Sequence, residues 1–295
     1  MISNWFNLRQ NLLKFSIGFA AVCCWVYGCQ SAVLESLKQP NPQREAQLLE
    51  ESRIQKAFAD AGLRVQTPNW KEKPPRYRCQ TQYFEVSFAA ADASLALELA
   101  SQADAVYERL KAWFQFGLPY RVKVRIEPTG STHSNIMQDT SGRATGRAFY
   151  LNSAAHPDRH TCAHELGHLF FFRTRQDKPV PWWLNEGIAE YVATENREDS
   201  AFVSQLLGEV GRQEELLQLG NLPASGIPLW QSYQAASSFF LFLHHRYGEE
   251  KIQAMVKSFL RALPGATVGD VVLPIYGKTL VDLEAEWRAA ARPAR

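Results

Sequence analysis

Two histidines four residues apart, His164 and His168, flank Glu165 in the pattern H-E-x-x-H. On a helix, residues i and i+4 lie on one face, one turn apart, so both imidazoles can bind one cation. Glu165 then lies beside them, within reach of a metal-bound water. Zinc suits such a site, because catalytic zinc takes three protein ligands and leaves one position for water. The pattern therefore predicts a zinc site that needs one more ligand.

The best candidate for that ligand is Glu186, in a second segment of helical pattern that starts at Pro181. Glu190 follows one turn later on the same face, about 6 Å away along the helix axis. A zinc–oxygen bond is only about 2 Å long, so one rigid helix is not expected to give both carboxylates to the same ion. The other carboxylate would accept the free N–H of a ligand histidine and fix its tautomer.

The competing interpretation of H-E-x-x-H is a helix with two solvated or core histidines. The segment around the motif is apolar, with Leu166, Leu169 and three consecutive phenylalanines. Unpaired polar side chains are costly in such surroundings. A buried carboxylate that faces two buried histidines also needs a cation to compensate its charge. Both points favour the metal site.

The sequence H-E-L-G-H followed by W-L-N-E-G-I-A-E-Y resembles the gluzincin metallopeptidases, the group that contains thermolysin and the membrane alanyl aminopeptidases. It is most similar to small bacterial peptidase MA-like domains. The resemblance implies that His164, His168 and Glu186 bind zinc. It further implies that Glu165 is the general base and that Glu190 supports a ligand histidine.

The resemblance covers roughly residues 80–290 and is strongest over 160–194. It implies an α+β, zincin-like (thermolysin-like) domain of two lobes, with a small mixed sheet plus helices in the N-lobe, a helical C-lobe and zinc in the cleft. Tyr233 resembles the family's tyrosine at the start of a C-lobe helix, which would donate a hydrogen bond to the reacting oxyanion. The alternative for Tyr233 is a core or capping aromatic residue.

Two features depart from the aminopeptidases of this group. Seventeen residues separate His168 from Glu186, and the sequence lacks the G-A-M-E-N motif that anchors a substrate's free amino terminus. The missing motif favours an endopeptidase that takes peptide or protein substrates. The alternative from another class is a non-catalytic, zinc-containing surface lipoprotein that binds a protein partner. Glu165 favours the enzyme, because metal binding does not require that carboxylate.

The N-terminal segment has the features of an export signal. Residues 1–28 contain no acidic residue, and Arg9 and Lys14 precede an apolar run over 15–27. A membrane-spanning helix needs about 20 apolar residues, so a secretory signal is the better interpretation. The run ends in V-Y-G-C, which resembles a bacterial lipoprotein cleavage site and implies that Cys29 becomes the lipidated first residue. The alternatives are an uncleaved signal anchor or ordinary cleavage nearby.

These features predict a protein of the bacterial cell envelope, held at a membrane by its N-terminal lipid or signal anchor, or else secreted or periplasmic. Removal of residues 1–28 takes away two of the 32 Lys and Arg residues and none of the 30 Asp and Glu residues, which leaves no net charge. A neutral chain gives no electrostatic reason to expect nucleic acid or polybasic membrane binding.

Cysteine use agrees with export but does not fix a pairing. Cys23 and Cys24 would leave with the signal, so Cys79 and Cys162 remain in addition to Cys29. These two can form one disulfide in an oxidising compartment. They can equally be two separate buried thiols, because the sequence does not show the distance between them.

The domain organisation follows from composition and periodicity. We predict a signal peptide at 1–28, a tether, helix and linker over 29–78, and the peptidase MA-like domain over 79–295. Predicted helices cover 45–63, 92–116 with Asp92 as N-cap, 201–218, 230–247, 249–263 and 278–292, and predicted strands cover 83–88, 122–126 and 146–152.

The segment before the metal helix is of particular interest for substrate binding. Residues 129–145 are polar and are predicted to be a long loop, of a length typical of functional lids. In the resembling family, the edge strand of the sheet binds the substrate backbone as an added strand, and residues 146–152 are the candidate for that role. The alternative is an ordinary interior strand. His160 either lines the cleft or lies on the helix surface, and the adjacent His244 and His245 are predicted to be structural.

Overall fold

The structure is a computed structural model, and it describes residues 42–70, 75–127, 142–172, 180–213, 216, 218–263 and 265–292. The expected signal peptide, Cys29 and the tether up to residue 41 lie outside these residues, and so do residues 129–141 of the expected loop. Within the described ranges, none of the helices has both the length and the apolar character needed to span a bilayer.

The described chain combines helices with one sheet, in agreement with the predicted α+β class. The helices are α1 (Pro42–Asp60), α2 (Ala93–Phe114), α3 (Arg159–Phe172), α4 (Trp182–Ala193), α5 (Ser200–Val210), α6 (Leu229–Tyr247), α7 (Glu249–Arg261), α8 (Val268–Tyr276) and α9 (Leu280–Ala291). The strands are β1 (Arg64–Asn69), β2 (Arg76–Gln80), β3 (Phe84–Phe88), β4 (Val122–Glu127), β5 (Gly142–Thr145) and β6 (Ala148–Asn152).

The six strands form one mixed sheet in the order β1-β2-β3-β4-β6-β5. The first three strands are antiparallel, β3, β4 and β6 run parallel, and β5 pairs with β6 in antiparallel orientation. Val86, Val124 and Phe149 are paired across the three parallel strands and are almost completely buried. Strand β6 is the last strand before the helix that carries H-E-x-x-H, and a 3₁₀ turn over Ser153–Ala155 lies between them.

The edge strand beside the metal helix is β5, and the prediction for residues 146–152 was wrong in this respect. Strand β6 lies between β4 and β5, so it is an interior strand and its backbone groups are already paired on both sides. The edge is formed by residues 142–145, which the sequence placed in a polar loop. Their alternation of half-buried and exposed positions contains no fully buried residue, which explains why no strand pattern was visible.

The sheet also begins earlier than the predicted domain start at residue 79. The predicted tether, helix and linker over 29–78 contain β1 and the first residues of β2, and the compact unit that contains the sheet runs from Ile54 to Arg295. Proline is tolerated at position 68 because β1 is an edge strand whose pairing register shifts between Gln66 and Asn69. Helix α1 agrees with the predicted helix over 45–63 apart from its ends.

The helices that follow the metal helix agree with the prediction except in two places. Helix α5 ends at Val210 and not near 218, with Gly211 as its C-cap, where a Cβ would lie 1.9 Å from the carbonyl oxygen of Ala291. Helix α8 was not predicted, and it starts with a capping box in which Thr267 and Asp270 bond each other's backbone N–H. Asp92 occupies the N-cap of α2 as predicted, but its side chain makes no capping hydrogen bond.

Aromatic packing holds the metal helix against the rest of the core. Phe170 of α3 stacks on Phe114 with ring centroids 5.1 Å apart and meets Tyr107 at 5.3 Å, both on α2. On α4, Trp183 packs against Phe239 and Phe240 of α6 at 5.7 and 6.1 Å. These contacts hold α3 against α2 and α4 against α6.

Cys79 and Cys162 are both free and buried, so the disulfide alternative was wrong and the two-thiol alternative was right. Cys79 lies on β2, whereas Cys162 lies on α3, which packs over β5 and β6. Strands β3 and β4 lie between β2 and β6, a separation of about 14 Å at the usual strand spacing. A disulfide needs Cα atoms within about 7 Å. Burial raises the pKa of the Cys79 thiol to about 11 and that of Cys162 to about 12.

Candidate metal centre and active site

The H-E-x-x-H motif lies on a helix, as its spacing predicts. Helix α3 starts after Asp158, whose carboxylate accepts hydrogen bonds from the backbone N–H of Thr161 at 2.9 Å and from its hydroxyl at 3.0 Å. Such a cap fixes the first turn of the helix. One turn later, the Nε2 atoms of His164 and His168 lie 3.0 Å apart on the same face. Both imidazoles therefore point to one position.

Glu186 of α4 completes a three-residue cluster at that position. Its Oε2 atom lies 3.4 Å from Nε2 of His164 and 3.2 Å from Nε2 of His168. Ligand atoms bound about 2.0–2.1 Å from a tetrahedral zinc ion lie about 3.3 Å from one another. The three donor atoms thus have the spacing of three corners of a zinc tetrahedron. They are also the one His/Cys/Asp/Glu group of the described chain whose donor atoms converge closely enough to hold a metal ion.

Each ligand histidine has an oxygen atom beside its other ring nitrogen. Nδ1 of His164 lies 3.0 Å from Oε1 of Glu190, although the contact is not aligned as a hydrogen bond. Nδ1 of His168 lies 3.2 Å from Oδ1 of Asn185, whose amide also donates to Oε1 of Glu186 at 2.8 Å. Such partners orient the imidazoles and leave Nε2 free for a cation.

Glu190 was predicted for this supporting position, and the structure places it there. Asn185 was missed, although it is the residue directly before Glu186 in the N-E pair. The other carboxylate oxygen of Glu190 lies 2.9 Å from Nε2 of His160, which lines the cleft. His160 therefore belongs to the wall of the site and is more than a surface histidine.

The electrostatics of the cluster favour a cation. Burial alone would raise the pKa of Glu186, but its contacts with His164 and His168 outweigh burial and lower it. Burial alone would likewise lower the pKa of His164, and the neighbouring Glu186 and Glu190 raise it instead. The carboxylates thus stabilise positive charge between the two helices, where a divalent ion would lie.

Glu165 lies beside the three donor atoms and against strand β5. Its side chain is only 5% exposed, and burial raises its pKa. The backbone N–H of Ala144 is hydrogen-bonded to the carboxylate, while Oε2 is buried and accepts no hydrogen bond from the described residues. The carboxylate is therefore held against the sheet, and Oε2 is available for a proton.

A cleft of about 590 Å³ opens onto these residues. It is lined by Gly142 of β5, by residues of α3 and α4, and by Pro228, Leu229, Trp230 and Tyr233. The ring of Tyr233 lies 5.9 Å from that of His164 and 5.2 Å from that of Trp182. Burial raises the pKa of Tyr233, as do Glu186 and Glu165, so its hydroxyl stays protonated and can donate.

Part of the chain that contains this site matches a known protein family. Residues 153–292, a little under half of the chain, match the model of the peptidase MA superfamily. This region is similar to the peptidase MA superfamily. The sequence matches none of the curated proteins with which it was compared.

The peptidase MA match contains the whole donor cluster, with Glu165, Asn185, Glu190 and Tyr233. A peptidase MA domain indicates a metallopeptidase. The match starts at residue 153, so strand β5, which contacts Glu165, lies before it.

Two further histidines of the matched region lie away from the cleft. His244 contacts the hydroxyl of Tyr191 at 2.7 Å and a carboxylate oxygen of Glu198 at 3.0 Å. His245 lies 2.8 Å from the carbonyl oxygen of Arg197. Both histidines connect α6 to α4 or to the segment that follows it, which agrees with the structural role predicted for them.

Proposed function

We propose that this protein is a zinc-dependent metallopeptidase of the gluzincin type that hydrolyses peptide bonds, with His164, His168 and Glu186 as the zinc ligands. The observation that carries the proposal is the convergence of three donor atoms within 3.0–3.4 Å of one another, beside a buried glutamate. The family match supports the general class of enzyme.

The residues around the cluster have the properties that peptide hydrolysis requires. When bound, zinc would polarise the scissile carbonyl and make water a better nucleophile. Glu165 would take a proton from the attacking water and pass it to the departing amine. Its raised pKa suits a group that must hold this proton between the two steps. The protonated hydroxyl of Tyr233 would donate to the oxyanion that develops on the substrate.

Strand β5 is the surface that we propose for the substrate backbone. It is an edge strand, and Gly142 lines the cleft, so an extended peptide can be added beside it as a further strand. Such binding needs no substrate terminus, which supports an endopeptidase. The position of the cleft between β5 and α3 on one side and α6 on the other supports a two-lobed, thermolysin-like arrangement.

The decisive test is hydrolysis of unfolded casein by purified protein, with and without a zinc chelator. We expect cleavage that the chelator abolishes and added zinc restores. Glu165→Gln should keep zinc and the fold while hydrolysis falls by about 10²–10⁴-fold, the usual contribution of general acid–base catalysis. Glu250→Gln, an exposed substitution of the same kind on α7, is the matched control and should leave the rate unchanged.

Two results would contradict the proposal. If zinc binds but no peptide is cleaved, the non-catalytic zinc lipoprotein becomes the better interpretation. If Glu165→Gln retains activity within a few-fold of the original protein, the assignment of the general base is wrong.

We further propose that the protein is exported and anchored to a membrane through a lipid on Cys29. The support is the short apolar run that ends in V-Y-G-C. Mass spectrometry of the mature N terminus should show a chain that begins at acylated Cys29. An intact Met1, or an unmodified Cys29, would contradict the lipoprotein assignment.

A further inference from the structure

Gly142, the first residue of β5, lies directly against the side chain of Glu165. A Cβ atom on Gly142 would lie 2.7 Å from Oε1, 2.9 Å from Cγ and 3.0 Å from Cδ of Glu165. Carbon atoms that are not bonded prefer separations of about 3.5–4.0 Å. Any side chain at position 142 would therefore overlap the glutamate as it stands.

The backbone does not account for a glycine at this position. Gly142 is not among the residues with positive φ, in contrast to Gly146 in the turn that follows β5. It is paired with Leu151 as an ordinary member of an antiparallel ladder, a conformation that every residue type can adopt. The close approach of Glu165 is thus the feature that requires the glycine.

Strand β5 contacts the Glu165 carboxylate at two alternate residues. Gly142 provides a flat wall without a side chain, and Ala144 provides a backbone N–H that is hydrogen-bonded to the carboxylate. The two contacts come from alternate residues of β5, one at the Cα position of Gly142 and one at the backbone N–H of Ala144. The carboxylate is held between this strand and helix α3.

We infer that Gly142 is a positioning residue, which lets β5 hold the carboxylate of Glu165 at the metal centre because position 142 has no side chain. The catalytic consequence rests on the proposed peptidase function, but the packing does not. A methyl group at position 142 has to move the carboxylate, the strand or both. A displacement of about 1 Å at a reacting group can cost about 10²-fold in rate.

The first test compares the kinetics of Gly142→Ala with those of the original protein on a fluorogenic peptide. We expect kcat to fall by about 10²-fold, with KM and zinc affinity within about two-fold of the original values. In the Glu165→Gln background, the same substitution should cause no further loss. Gly208→Ala is the control, because a Cβ there meets nothing within 4 Å. An unchanged kcat, or a raised KM with kcat unchanged, would overturn the inference.

The second test does not depend on activity and still decides the inference if the protein proves not to be a peptidase. Overpacking should lower the melting temperature of Gly142→Ala by about 2–10 °C relative to the original protein. In the Glu165→Ala background, which removes the overlapping atoms, the same substitution should leave the melting temperature unchanged. Equal shifts in both backgrounds, or no shift in either, would show that Gly142 does not constrain Glu165.

Discussion

The two carboxylates of α4 differ in the histidine atom that they meet. Glu186 faces Nε2 of both ligand histidines, whereas Glu190 faces Nδ1 of His164 and Nε2 of His160. A carboxylate beside Nε2 can bind the same cation as the histidine. A carboxylate beside Nδ1 orients the ring and increases its basicity. Two glutamates one helical turn apart therefore have different roles: one can bind the cation, and the other orients a histidine that binds it.

This difference predicts the ranking of zinc affinities among variants. Glu186→Ala should lose nearly all zinc binding, because the cation loses one of three protein ligands. Glu190→Ala and Asn185→Ala should each weaken binding by about 10–100-fold, since each removes only the partner of a ligand histidine. Glu195→Ala is the control, because that exposed carboxylate pairs with Arg159 outside the cluster. Competition with a chromophoric zinc chelator measures all four affinities.

The opposite ranking of Glu186 and Glu190 would mean that the two roles are exchanged. Equal losses in both variants would mean that the two carboxylates share the ion.

At the scale of elements, glycines set how closely the site helices approach. A Cβ on Gly187 of α4 would lie 2.5 Å from Cε2 of Phe240 and 2.9 Å from the carbonyl oxygen of Ala236, both on α6. A Cβ on Gly167 of α3 would lie 3.0 Å from Cγ2 of Val192 on α4. The glycine that follows Glu186 and the glycine within H-E-L-G-H thus bring α3, α4 and α6 together.

The sequence shows the chemistry of the site better than the elements that surround it. His164 and His168 were found because the helical period alone places them on one face, and Glu165 because it lies beside them in the same motif. Glu186 and Glu190 were found because a second helix repeats that spacing. Both arrangements are local, so they can be read without knowing what the helices pack against.

Strand β5 could not be predicted in this way, because it depends on tertiary contacts with residues that are distant in the sequence. Its glycine is explained by Glu165, which lies more than twenty positions later in the sequence, and its pairing depends on β6. Without a fully buried residue it shows no hydrophobic alternation. The supporting role of Asn185 was missed for the same reason, since it depends on which face of α4 meets His168.

At the scale of the whole molecule, the question is where the folded unit begins. The residues before 79 contribute large buried groups to it. Phe58 of α1 and Tyr77 of β2 stack on Phe88 with ring centroids 5.3 and 5.7 Å apart, and all three rings are buried. Removing a buried Phe side chain typically costs about 3–5 kcal/mol. Loss of two such rings is comparable to the whole stability of an ordinary domain, about 5–15 kcal/mol.

A buried ion pair adds to this dependence. Arg76, which is 5% exposed, donates to the carbonyl oxygen of Ile126 at 3.0 and 3.1 Å and lies 3.3 Å from a carboxylate oxygen of Glu127. Glu127 is completely buried at the end of β4. Removing one partner of a buried pair costs up to about 3–5 kcal/mol when the other charge is left without compensation. Arg125, which is partly exposed, contacts the same carboxylate oxygen of Glu127 and would retain part of that compensation.

We therefore predict different behaviour for two truncated chains. A chain that starts at residue 42 keeps Phe58, Arg76 and Tyr77, and it should bind zinc and unfold in one cooperative thermal transition. A chain that starts at residue 79 loses all three and leaves β3 as a new edge, so it should show no cooperative transition and bind zinc poorly. Circular dichroism melting and zinc titration of both chains measure this. If the shorter chain melts cooperatively within a few degrees of the longer one, the folded unit begins near residue 79 after all, and β1, β2 and α1 are an accessory layer on it.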